Sequence, residues 1–169
     1  MDQNQIKTLR DTFLQDLEQE YKITQRVLSA AANGNNKEYK PDANAKTAFE
    51  LAWHIASSDC WFADSIYKGT FEGSDESAAP ADIKTIGDVS NWYSNSFASE
   101  LEKLRSLTPD MLAKTLNFFN VVTLPAVMFM ALLRNHSIHH RGQLSTYLRP
   151  MGSKVPSIYG GSYDEPINM

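Results

Sequence analysis

A stripe of residues, Ile6, Leu9, Phe13, Leu17, Tyr21, Thr24 and Leu28, recurs at spacings of three and four through the start of the chain. That is the period of an α-helix; a strand would scatter these side chains over both of its faces. The spacing predicts a helix over roughly Gln3 to Ala32, stopped by Gly34 in the polar run Asn33-Gly34-Asn35-Asn36. So long an amphipathic helix has an apolar stripe that it cannot bury by itself, and it obliges the rest of the chain to supply a partner surface.

Three further segments supply helical partners. Thr47-x-x-Glu50 is a capping-box pattern and opens a second helix that runs to about Lys68, where Gly69 can act as a left-handed terminator. The stretch from Phe71 to Asp82 is rich in Ser, Gly and acidic residues and reads as an exposed loop. A third helix is expected from about Ile86 to Leu107, capped by Thr85 with Asp88 in its first turn, and Thr108-Pro109 then opens a short helical turn. Residues Thr115 to Val122 read as an extended link, and the fourth long helix is expected from near Thr123, with Pro125 in its first turn, to about Leu148. Pro150 and Gly152 end it, and an irregular Gly/Pro-rich tail follows. The expected fold is an all-α four-helix bundle in one domain over 1–169, with its C-terminal tail from about residue 151.

Composition narrows the function classes. The 169 residues are 42% hydrophobic, enough for one core, and the net charge of -4 argues against nucleic acid as a partner. The longest apolar run, Val121 to Leu133, is broken by Thr123 and Pro125 and is too short to span a bilayer. The opening residues MDQNQIKTLR contain no apolar signal segment, and Cys60 stands alone. A soluble, cytoplasmic protein without a membrane partner is therefore expected.

The histidines carry the chemistry. Three lie in the run His136-Ser137-Ile138-His139-His140. At about 100° per residue, His140 lies about 40° from His136, on the side of the helix shared with Phe129, Leu132, Leu133, Gln143 and Tyr147. This places His136 and His140 in the middle of the core-facing stripe and His139 at its edge. Histidines at i and i+4 project from one face and can bind one metal ion, as in H-E-x-x-H enzymes. The zincin glutamate is absent here, so that protease chemistry is excluded. His54, on the second helix, shares a side with Leu51, Ser58, Trp61, Phe62 and Ser65, and the small Ser58 leaves room for a cavity beside it. A single inward histidine is ordinarily satisfied by a backbone carbonyl, whereas two of them a turn apart leave several ring nitrogens to satisfy and favour a shared metal. Three imidazoles with open positions describe a catalytic or ligand-binding site rather than a closed structural one.

The string His139-His140-Arg141-Gly142-Gln143-Leu144-Ser145-Thr146-Tyr147-Leu148-Arg149, the following Met151 to Gly160, and Leu51-Ala52-Trp53-His54-Ile55-Ala56 upstream together resemble the DinB/YfiT-like superfamily, named for a damage-inducible protein. The resemblance spans essentially the whole chain. It implies a four-helix bundle with a divalent metal on His54, His136 and His140, and it implies a homodimer. Better-understood relatives include transferases and isomerases that use mycothiol or bacillithiol, so a low-molecular-weight thiol is an implied co-substrate. Three imidazoles suit several divalent ions alike; Zn or Ni is the expected occupant, with Fe, Mn or Cu also compatible.

Around the histidines, Glu50 is either a base or a fourth ligand, or simply the capping partner of Thr47, which is the preferred reading. Gln143 is placed to orient His140, Tyr147 reads as core, and Arg141 lies off the histidine stripe as a surface or dimer contact. Trp53 and Trp61 read as core or interface aromatics, and Cys60 falls too far around the helix from His54 to be a ligand. The leading expectation is a metal-dependent thiol S-transferase acting on an unknown small-molecule substrate. Metal-dependent hydrolysis and a non-catalytic metal- or ligand-binding helical dimer are the alternatives.

Overall fold

The computed structural model describes residues 1–73 and 78–167. Its elements are α1 (Gln3–Ala32), α2 (Ala48–Lys68), α3 (Ile86–Ser106), a short α4 (Pro109–Ala113), β1 (Thr115–Phe118), β2 (Val122–Pro125) and α5 (Ala126–Tyr147). The long helices α1, α2 and α3 agree with the expected bounds to within a residue, because their ends are written in capping residues. Thr47 Oγ1 accepts from Glu50 N while Glu50 Oε2 accepts from Thr47 N, a complete capping box. Thr85 and Asp88 repeat it at α3, and Gly69 closes α2 at φ 78°.

The expected extended link is a two-stranded antiparallel hairpin, with Thr115 opposite Pro125 and Phe118 opposite Val122. Phe119 and Asn120 turn it at φ 49° and 61°, and Asn120 N donates to Asn117 Oδ1. The returning strand takes up Thr123 to Pro125, so α5 begins at Ala126 rather than near Thr123. Within the loop from Phe71 to Asp82, residues 74–77 lie outside the described residues, and Phe71 is buried against Phe62, Phe118 and Phe129 rather than exposed.

Around the bundle, α1 packs on α3 and α5, and α2 packs on the same two helices. The segment between α1 and α2 crosses the end of the bundle, where Tyr39 meets Tyr147 edge-on and Asn35 N donates to Met151 O. The tail packs on α1: Ser153 Oγ donates to Ala30 O, and Arg26 pairs with Glu165. Among the described residues, no helix is long and apolar enough to cross a membrane.

Candidate metal centre

Because α2 and α5 are neighbours, the middle of one faces the middle of the other. Every residue of α2 from Leu51 to Cys60 is buried, so His54 enters the bundle with only 8% of its surface exposed. His136 and His140 are half-buried, while Ser137 and Arg141 are buried. The expected phase is thus shifted. The buried face of α5 is centred about 90° from His136, near Leu133, Leu144 and Ser137, and the two histidines occupy its flank beside α2. His139 is exposed, as its position at the edge of the stripe predicts.

His54, His136 and His140 come together. Ring centroids are 5.3 Å apart for His54 and His136, 4.4 Å for His54 and His140, and 4.4 Å for His136 and His140. One ring nitrogen from each lies within 4.8 Å of the others. His54 Nε2 and His140 Nε2 face each other at 3.3 Å. Two nitrogens each about 2.0–2.1 Å from one ion at a tetrahedral angle would be about 3.3 Å apart, so this pair is spaced like zinc ligands.

The far side of two of the rings is also engaged. His140 Nδ1 lies 2.8 Å from Gln143 Oε1, an oxygen that can only accept, so the proton sits on Nδ1 and Nε2 offers a lone pair. The orienting role expected of Gln143 is what the geometry provides. His54 Nδ1 lies 3.1 Å from Ser58 Oγ, so Ser58 makes a polar contact with it. His136 Nδ1 lies 3.5 Å from Oδ1 of the fully buried Asp59, beyond hydrogen-bond geometry. Asp59 was not legible as a site residue. The one signal for it was an acid within an otherwise apolar and small-residue run, Leu51 to Ala63.

The other expected contributors sort as follows. Glu50 serves the capping box, and its hydrogen bonds with the Thr47 backbone and side chain hold its carboxyl below the usual range. Cys60 is buried away from the cluster, and burial pushes its thiol strongly up. Tyr147 is a core residue whose hydroxyl donates to Lys46 O. Trp53 packs on Trp92 and Trp61 lies among Phe62, Phe71, Phe118 and Phe119, but Trp53 also lines a cleft. Arg141 is no surface residue. It is 1% exposed, its Nη1 pairs with Glu20 at 2.6 Å, and its Nη2 donates to the Tyr159 hydroxyl at 2.6 Å.

Two clefts reach the histidines. One, of about 610 Å³, opens on His54 between Lys40, Lys46, Phe49, Trp53 and Ser57. The other, of about 650 Å³, opens on His140 between Asp42, Lys46, Gln143 and Tyr147. Ala45 and Lys46, from the segment before α2, line both.

Known proteins share this architecture. The structure superposes on a DinB-like protein from Bacillus cereus with a TM-score of 0.70, at 26% identity, over 88% of this chain and 97% of that one. It matches the DinB-like protein YjoA of Bacillus subtilis with a TM-score of 0.68, at 20% identity, over 92% of this chain and 99% of that one. In sequence it is 28% identical over 156 residues to the uncharacterized protein YrdA of Bacillus subtilis, covering 92% of this chain and 90% of that protein. The model of the DinB family matches residues 1–168, and the helical bundle with its three-histidine cluster therefore has a family: the chain belongs to the DinB family.

Proposed function

We propose that the protein is a divalent-metal-dependent enzyme in which His54, His136 and His140 hold the ion and a small molecule reacts at its open side. The observation that carries this reading is the convergence of the three rings. His54 and His140 present Nε2 atoms at a tetrahedral ligand separation, while Ser58 and Gln143 engage the opposite nitrogens. A divalent ion held there would supply Lewis acidity, lowering the pKa of a bound water towards neutrality and keeping a bound thiol as its thiolate.

The clefts suggest how the remaining residues divide the work. One approach reaches His54 and the other His140, with Lys46 on both. Two routes to one centre suit a reaction between two molecules, which ranks transfer of a low-molecular-weight thiol to an electrophile above hydrolysis. Glu50, although it lines the His54 cleft, is a poor base because Thr47 stabilises its carboxylate. Hydrolysis is the second reading, favoured by Asp42, an acid lining the cleft on His140. The homodimer that the family resemblance implies is proposed with it; light scattering should give twice the 19.0 kDa of one chain, and a monomer mass would remove it.

Tag-free protein is expected to carry about one divalent ion per chain by elemental analysis, and His136→Ala to lose it. Chelation should lower the melting temperature of wild type and leave that of the variant unmoved, because bound ligand stabilises only the state that binds it. Wild type free of metal after growth in Zn- and Ni-supplemented medium would sink the reading. Metal-loaded protein should then consume bacillithiol, mycothiol or glutathione with one of a panel of electrophiles. Ester or amide cleavage without thiol loss would select hydrolysis, and neither activity would select the non-catalytic ligand-binding dimer.

A further inference from the structure

Asp59 has no exposed surface, and it sits five residues beyond His54 in the most buried stretch of α2. One of its oxygens, Oδ2, accepts from the Tyr93 hydroxyl at 3.0 Å. The other, Oδ1, lacks a hydrogen-bond partner among the described residues. The same is true of His136 Nδ1, and these two unsatisfied atoms are 3.5 Å from one another. Buried polar atoms are ordinarily paired, and two complementary orphans side by side define a bond that a small movement completes.

We propose that Asp59 is the positioning residue of the metal centre, accepting the Nδ1–H of His136 so that the imidazole presents its Nε2 lone pair to the ion. The inference rests on the metal-site reading above and adds to it the group that sets the tautomer of the third ligand. His136 is free to close the gap, since its side chain is 21% exposed on the flank of α5. Asp59 is the fixed member, held by Tyr93, whose ring is 1% exposed and stacked on Phe97. Burial, with Asp59 adding to it, raises the Tyr93 hydroxyl well above its ordinary range, so it stays a donor. His136 is the one basic group paired with Asp59 among the described residues, which leaves the acid little other use in the core. A carboxylate behind a ligating histidine fixes the ring and raises its basicity, and the loss of such a partner weakens metal binding by about 10- to 100-fold.

The test combines chelator-competition titration with Zn²⁺ and ¹⁵N-histidine NMR on the full chain. In metal-free wild type, His136 should carry its proton on Nδ1, against the preference of a free imidazole for Nε2–H. Asp59→Asn turns an N–H towards His136 Nδ1 and should move the proton to Nε2. Zn²⁺ affinity should then fall about 10- to 100-fold while the His54 and His140 signals hold. A packing role would lower the melting temperature without changing the tautomer of one ring. Should Asp59→Asn fail to fold, Tyr93→Phe frees Asp59 from its anchor and is expected to shift the His136 Nδ1–H resonance and weaken Zn²⁺ binding severalfold. Wild-type affinity and an unchanged His136 tautomer in whichever variant folds would overturn the role of Asp59 and leave the metal reading standing. Absence of Zn²⁺ binding by wild type would remove both.

Discussion

Gln143 reaches His140 from an exposed position, so it separates ligand orientation from core packing. Gln143→Ala is expected to weaken Zn²⁺ binding about 10-fold, measured by chelator competition, with stability unchanged to within about 0.5 kcal/mol. An unaltered affinity would mean that His140 is oriented by its helix alone. At this scale the sequence was legible where helical phase decides. His140 and not His139 turns towards His54, and an exposed His139 follows from its phase. It was illegible where a residue's partner lies on another helix. Asp59 and His136 are adjacent only because α2 packs on α5, and no spacing within either helix encodes that.

Among the elements, the helices with side-chain caps were readable to a residue because a capping box is complete within four positions of the chain. Thr47→Ala should cost about 1 kcal/mol in urea unfolding, the usual worth of an N-cap side chain. Glu50 makes the other half of the box, and its folded pKa is lowered, chiefly by the Thr47 backbone. Its contribution is therefore present above the unfolded pKa and lost as pH falls through the folded one. The stability gap between wild type and Glu50→Gln should be open at neutral pH and close as the solution is acidified; a gap that does not vary with pH would refute the capping role. By contrast, α5 has no side-chain cap, and its start was placed too early. Its first residue is set by the hairpin before it, with Ala126 N donating to Lys114 O. That hairpin turns on Phe119 and Asn120 without the Asn-Gly or Asp-Gly pair that would have announced it.

For the whole molecule, Arg141 ties three parts of the chain together. Its guanidinium holds Glu20 and Thr24 of α1 and the Tyr159 hydroxyl of the tail, and that hydroxyl in turn donates to Glu20 at 2.7 Å. With Arg141 1% exposed and the Glu20 side chain 12%, this ion pair is shielded from water. Arg141→Ala should cost about 3–5 kcal/mol in urea unfolding, because it leaves the half-buried Glu20 carboxylate without its cation, with the Tyr159 hydroxyl as its remaining donor. A loss below about 1 kcal/mol would assign the tail a looser hold, as a surface pair would give.

The sequence by itself determined the helical class, the four long helices, three of them to within a residue, and the three histidines, because helix period, caps and an i, i+4 pair act over one or two turns of the same chain. The tertiary structure decided the rest. It moved His136 and His140 from the centre of the buried face to its flank, gave that centre to Leu133, Ser137 and Leu144, and put Asp59 behind His136. Which side of a helix is buried depends on where its neighbours stand. Here α5 lies between α1 and α2, so Ser137 at its core-facing centre is met by Thr24 of α1 and its flank by His54 of α2.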